Sequence, residues 1–221
     1  NALILENTKV LKAERLKDYW KIYLEKNIVV TSKILINASG PWINEVIANI
    51  IKIPIKKSIR LIKGSHIVVK KLYEEEVAFT LQNDDKRIIF VIPYKDKFSL
   101  IGTTEIEVNT PENHQITDDE IQYLIKAVNN YFVKQIDYNN IVNTYSGIRP
   151  LIEDFNESTK VTRDYFFDVN MKNQLPPLLS IYGGKLTTYR ILSDKVFREL
   201  RNKLPSNTGK SWTHKKKLVS K

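Results

Sequence analysis

Apolar and polar residues alternate with a period of two along several stretches of the chain. Trp20, Ile22 and Leu24 interleave with Lys21, Tyr23 and Glu25, the pattern of a half-buried strand. Lys17-Asp18 then marks the turn from a preceding strand, and residues 28–30 form the next one. A helix over residues 10–26 is the competing reading, because that stretch contains no Gly or Pro. Residues 33–37 make a short apolar strand that ends in Asn37-Ala38-Ser39-Gly40-Pro41-Trp42, followed by a helix to about residue 50. Residues 59–69 alternate as a strand, with an interruption expected at Gly64-Ser65-His66. Residues 78–81, 87–93 and 98–103 continue as strands joined by short polar turns, as in an antiparallel sheet.

Helical spacing takes over at Thr117. That threonine caps, Glu120 completes a capping box three residues on, and the acids of the first turn suit the positive end of the helix dipole. Ile121, Leu124, Ile125, Val128 and Phe132 form its apolar face, which reads as core. Residues 141–148 make a strand ending at Arg149-Pro150. A last apolar run, residues 178–182, stops at Gly183-Gly184, and Tyr189, Leu192, Val196 and Leu200 then mark one face of a helix. A strand, two glycines and a helix start bring backbone amides close to an electron-rich ligand, and Lys185 adds a full positive charge. An ordinary strand-to-helix turn is the plainer reading of the same residues.

With 221 residues the chain is long enough for one large domain or two small ones. The absence of cysteine excludes disulfides, thiolate nucleophiles and cysteine-held metals. His66, His114 and His214 have no metal-ligand spacing, so no metal is expected. No apolar run is long enough to span a bilayer, and the first residues do not resemble a signal peptide. The net charge is +10, but Lys210, Lys215, Lys216, Lys217 and Lys221 supply half of it in a basic tail. Residues 52–71 hold seven further basic residues and no acid, several at alternating positions that read as a solvated sheet face. Neither region has the basic helix or stacking aromatics of a nucleic-acid surface, so no nucleic-acid partner is expected. An anionic substrate or an acidic membrane surface fits the charge better.

Four motifs belong together: Asn37 to Trp42, Arg60-Leu61-Ile62-Lys63-Gly64-Ser65-His66, Ile101-Gly102-Thr103-Thr104-Glu105 and Ser146-Gly147-Ile148-Arg149-Pro150-Leu151. With Thr162-Arg163-Asp164-Tyr165 and Gly183-Gly184-Lys185-Leu186-Thr187-Thr188, their order and spacing resemble the FAD-dependent, quinone-linked glycerol-3-phosphate dehydrogenases. The resemblance covers residues 2–212. It implies an α/β (α+β) fold, with part of an FAD-binding Rossmann-like layer and an antiparallel-sheet substrate domain. Residues 1–53 and 178–204 would belong to the FAD-binding part, 54–177 to the substrate domain and 205–221 to the basic tail. The chemistry implied is oxidation of sn-glycerol 3-phosphate to dihydroxyacetone phosphate with FAD as hydride acceptor and a quinone as the next electron carrier. A cytoplasmic location follows, with peripheral association at the inner face of the membrane.

Carried over residue by residue, the resemblance makes His66, Arg149 and Lys185 the catalytic set, converging on one cleft. Arg149, Lys185 and Arg163 would hold the phosphorylated substrate. Asn37, Ala38, Gly40, Gly183, Gly184, Lys185, Leu186 and Thr187 would contact FAD. The plainer readings are a surface or ion-paired Arg149, a core His66, an Arg163 paired with Asp164 or Glu153, and threonines 187 and 188 that cap a helix. The family's G-x-G-x-x-G unit for the pyrophosphate has no counterpart among the seven glycines. The chain therefore reads as the middle of such an enzyme, dependent on complementary segments. Alone it is expected to bind FAD weakly or not at all and to lack activity. A non-catalytic remnant and an amine or amino-acid oxidase on a similar scaffold are the alternative readings.

Overall fold

The computed structural model describes residues 2–112, 114–152, 164–171, 175–205, 209 and 212–216. The chain divides into two compact units, one made of residues 1–59 with 150–221 and the other of residues 60–149. The sequence-based limits at 53/54 and 177/178 differ because residues 165–170, assigned there to the substrate domain, pair with a strand of the discontinuous unit.

The discontinuous unit begins with an antiparallel sheet of β1 (Val10–Arg15), β2 (Trp20–Leu24) and β3 (Val29–Ser32), which settles the choice against a helix over residues 10–26. Alternation decides it: Trp20, Ile22 and Leu24 are buried and pack with Ala13, Ile51 and Leu178. β4 (Leu35–Asn37) leads into a turn at Gly40 and a short helix, α1 (Ile43–Glu45), which continues as a π-helical stretch, Val46–Ile51. β11 (Tyr165–Asn170) and β12 (Leu178–Gly183) are antiparallel, and β12 runs parallel to β4 with Ser180 opposite Asn37. The early β4 and the Gly-Gly strand thus share one layer, as expected, whereas β1–β3 form a sheet of their own. α3 (Tyr189–Leu200) buries Val196 and Leu200 against Leu179, and Ile43 and Ile47 pack with Tyr182 and Ile152. Tyr189, expected on the buried face of α3, is exposed because the face that meets the sheet is set by Val196 and Leu200.

The second unit is a sheet in the order β10-β5-β8-β7-β6, built from β5 (Ile59–Lys70), β6 (Phe79–Gln82), β7 (Ile88–Tyr94), β8 (Phe98–Gly102) and β10 (Ile141–Ile152), with β9 (Ile106–Val108) also paired to β5. The pairings β5–β8, β5–β9, β6–β7 and β7–β8 are antiparallel. α2 (Asp118–Asn129) covers one face: Ile121, Leu124, Ile125 and Val128 pack with Ile67, Val69, Leu81, Ile89, Val91 and Ile101. Its capping box is present as read from sequence.

Two expectations change here. β5 passes through Gly64-Ser65-His66 without a break. The irregularity lies on the neighbouring strand, where residues 103–105 separate β8 from β9 and Thr104 bonds back to Ser65. β10 does not stop at Arg149-Pro150 but continues to Ile152, which an edge strand allows because one of its sides has no ladder to supply.

Candidate active site

Alternation on β5 sorts its side chains onto two faces. Lys63, Ser65, Ile67 and Val69 point toward α2, while Gly64 and His66 lie on the opposite face. Register then builds the row: His66 pairs with Gly102 of β8, and Gly102 with Phe90 of β7. On β10, Tyr145, Gly147 and Arg149 share a face by the same alternation. The His66 ring stacks on Tyr145, with centroids 4.7 Å apart and planes 11° from parallel. Two glycines make the arrangement possible. A Cβ on Gly102 would lie 2.3 Å from His66 Cδ2, and one on Gly64 would lie 2.6 Å from Arg149 Nη2.

Arg149 is anchored but not enclosed. Its Nη2 donates to the Thr104 carbonyl and its Nη1 to Glu105 Oε1, both at 3.3 Å, leaving 34% of the side chain accessible. Burial, and then the charge of Arg149, push the His66 imidazole below its ordinary value of 6.5. The ring is therefore neutral at pH 7 and can accept a proton. Nδ1 is enclosed and makes no hydrogen bond among the described residues, so exchange with a ligand falls to Nε2. His66 and Arg149, proposed from sequence as site residues, are thus on one sheet face.

Beneath them lies a polar network that sequence reasoning missed. Lys63, within the basic run 52–71 of which several residues read as a solvated sheet face, is buried, because its position on β5 has the same parity as Ile67 and Val69. Its Nζ donates to Glu120 Oε2 at 2.7 Å and to the Gln115 carbonyl at 2.9 Å. Glu120 Oε1 also accepts from Ser65 Oγ at 2.8 Å and Thr104 Oγ1 at 2.6 Å, and Oε2 from the Thr117 amide at 2.8 Å. Burial opposes its ionisation, but the bonds from Lys63, Thr104, Thr117 and Ser65 outweigh that and hold the carboxyl at about 2. The capping glutamate of α2 thereby ties the helix to β5 and to the 103–105 turn that carries the Arg149 anchor.

The remaining candidates belong to the discontinuous unit. β4 and β12 are parallel neighbours, and both end in glycine turns at their carboxyl ends, where open α/β sheets bind ligands. Gly40, Gly183 and Gly184 have φ of 57°, 67° and 100°. Ala38, Lys185, Leu186 and Thr187 are exposed at these turns. Asn37 is buried and engaged in the turn itself, accepting from Ser39 Oγ at 2.6 Å and donating to the Ile43 carbonyl at 3.3 Å. Thr188 donates through Oγ1 to the Lys185 carbonyl at 3.0 Å, and neither Lys185 nor Thr188 caps its helix through a side chain. Arg163 and Glu153 lie outside the described residues.

Gly183 cannot be replaced freely. Its left-handed φ is compounded by a Cβ position only 2.6 Å from the Asp164 carbonyl oxygen. Gly183→Ala is expected to destabilise the protein by at least about 1–2 kcal/mol, the left-handed penalty alone. Denaturant midpoints would show it, and an unchanged midpoint would contradict the geometry.

Residues 1–190 match the family described as FAD dependent oxidoreductase, and the chain belongs to that family. It is 41% identical over 217 residues to a glycerol-3-phosphate dehydrogenase of Pseudomonas aeruginosa, covering 96% of this chain and 42% of the relative. It is 36% identical over 220 residues to a D-erythritol 1-phosphate dehydrogenase of Brucella abortus, covering 96% and 43%. The chain therefore spans less than half the length of these relatives. Among solved structures, a glycerol-3-phosphate dehydrogenase of Bacillus halodurans in complex with FAD shares the fold, with a TM-score of 0.74 at 24% identity over 90% of this chain and 39% of that one. Among the described residues, no helix is long and apolar enough to cross a membrane.

Proposed function

We propose that this chain is the part of an FAD-dependent dehydrogenase that recognises and deprotonates a phosphorylated polyol, with sn-glycerol 3-phosphate as the substrate. The observation that carries the reading is the common sheet face of His66 and Arg149, each lodged against a bare glycine of β8 or β5. Arg149 presents a rigid fork suited to the two oxygens of a phosphate, which would compete for it with the Glu105 carboxylate. His66, neutral at pH 7, takes the proton of the C2 hydroxyl at Nε2 as the C2 hydrogen leaves as hydride, giving dihydroxyacetone phosphate. The polyol-phosphate names of the relatives at 36–41% identity agree with this substrate class.

The residues at the β4 and β12 turns fit a flavin dinucleotide. Bare, left-handed glycines permit close backbone approach, and Lys185 supplies positive charge beside the amides of a helix start. Bound there, FAD would supply the hydride acceptor and pass the electrons to a quinone at the membrane surface.

The test is reduction of an artificial acceptor by the full-length protein with glycerol 3-phosphate, erythritol phosphate and glycerol. Glycerol 3-phosphate should be the best substrate, with glycerol poorer by roughly a thousandfold or more in kcat/KM, the worth of a few charge-assisted bonds. Equal use of glycerol, or turnover of amino acids instead, would overturn the assignment.

A further inference from the structure

We propose that Tyr145 and Gly102 are positioning residues for His66, forming a slot across three strands that fixes the plane of its imidazole. The proposal deepens the reading of His66 as the proton acceptor and rests on it for its catalytic meaning.

β5 lies between β10 and β8, so His66 has one neighbour on each side. On the β8 side it faces Gly102 directly, and the ring occupies the space that a side chain would take. Any Cβ there would sit 2.3 Å from Cδ2, 2.7 Å from Cγ and 2.9 Å from Nε2, so only glycine admits the ring in this position. On the β10 side the Tyr145 ring lies 4.7 Å away and nearly parallel, at 11°. Tilting the imidazole out of this plane would drive it into one wall or the other, so the two walls fix the plane of the ring. Close packing is what holds a catalytic group to the narrow tolerance that proton transfer requires.

Tyr145 has no other evident task. It stands 45% exposed on an edge strand and belongs to none of the buried clusters. Burial raises its own hydroxyl above the ordinary value, with a smaller contribution from Tyr94, so it meets the imidazole as a neutral ring. Such a wall withholds water from His66 without adding charge. Arg149, on the same strand, is the charged group that acts on His66, and Phe90 lies beyond Gly102 in the same row.

The experiment follows the imidazole signals of His66 by NMR in the full-length protein and in Tyr145→Phe, Tyr145→Ala and Gly102→Ala, with kcat and KM measured on the same samples. In the unaltered protein and in Tyr145→Phe, the His66 carbon-bound protons should show an upfield ring-current shift and titrate below 6.5. In Tyr145→Ala the shift should vanish and the titration move up toward the ordinary value. kcat should then fall at least about tenfold with KM little changed, because Arg149 is untouched. Tyr145→Phe should keep kcat within about threefold, since it retains the wall. Gly102→Ala should displace the ring altogether. If it does not fold, the half-exposed Tyr145 variants still decide the matter.

Unchanged His66 signals in Tyr145→Ala would overturn the slot. His66→Gln with full turnover would instead remove His66 from the chemistry, while the spectra of the Tyr145 variants continue to judge the slot on geometry alone.

Discussion

Glu120→Ala is expected to lower the stability of the protein by about 3–5 kcal/mol, the loss that follows when one partner of a buried ion pair is removed. Lys63 would be left as a buried, uncompensated charge, since the Gln115 carbonyl alone cannot replace a carboxylate at 2.7 Å. Thr104 and Ser65 would lose the carboxylate as acceptor, Ser65 keeping Ser146 Oγ at 2.8 Å, and the capping box of α2 would lose its reciprocal half. Denaturant unfolding would measure the change. Lys63→Met in the same background should recover most of it, because removing both charges is far milder than removing one. A loss below about 1 kcal/mol for the single variant would show that the pair is not coupled as described.

The same carboxyl makes acid sensitivity predictable in sign. Its folded-state value, about 2, lies below the ordinary 4.5, so its contribution is fully present above 4.5 and fades as the pH falls toward 2. The Glu120→Ala protein should show a flatter loss of stability across that interval.

The largest effect on turnover is expected from Arg149→Ala. If the guanidinium grips the phosphate, its removal should lower kcat/KM for glycerol 3-phosphate by roughly 30- to 1000-fold, corresponding to about 2–4 kcal/mol. The partial exposure of the side chain, 34%, argues for the lower part of that range. Arg149→Lys should restore only a fraction, because an ammonium keeps the charge and loses the fork. Residual turnover of glycerol, which has no phosphate, should be insensitive to either variant. Steady-state kinetics on both substrates checks this, and an equal loss with glycerol would place Arg149 outside phosphate binding.

Much of this could be read from sequence where the signal is local. Period-two alternation located β2 and β5, and Thr117 with Glu120 located the start of α2, because neighbouring residues create both patterns. The second role of Glu120 was not legible, since its partners Lys63, Ser65 and Thr104 come from other strands. Even so, a lysine in phase with Ile67 and Val69 is a signal that could have been used: an inward lysine calls for a buried acid. β9 has three residues, too few for a period to show, and β11 lacks a regular alternation. The stacking of Tyr145 on His66 depends on which residues of β10 and β5 meet, and register is not written in either strand alone.

The placement of residues 60–149 between the two halves of the other unit has a consequence for how the protein is made. β4 precedes its partner β12 by the whole intervening unit, so β12 is synthesised only after that unit. At roughly 5–20 residues per second the wait is on the order of ten seconds. Throughout that time β4 lacks β12, and Trp20 lacks the Pro177 carbonyl that it finally bonds. The intervening unit closes on contacts within its own span, so it can finish folding while β4 still waits for β12 with a strand edge open to other chains.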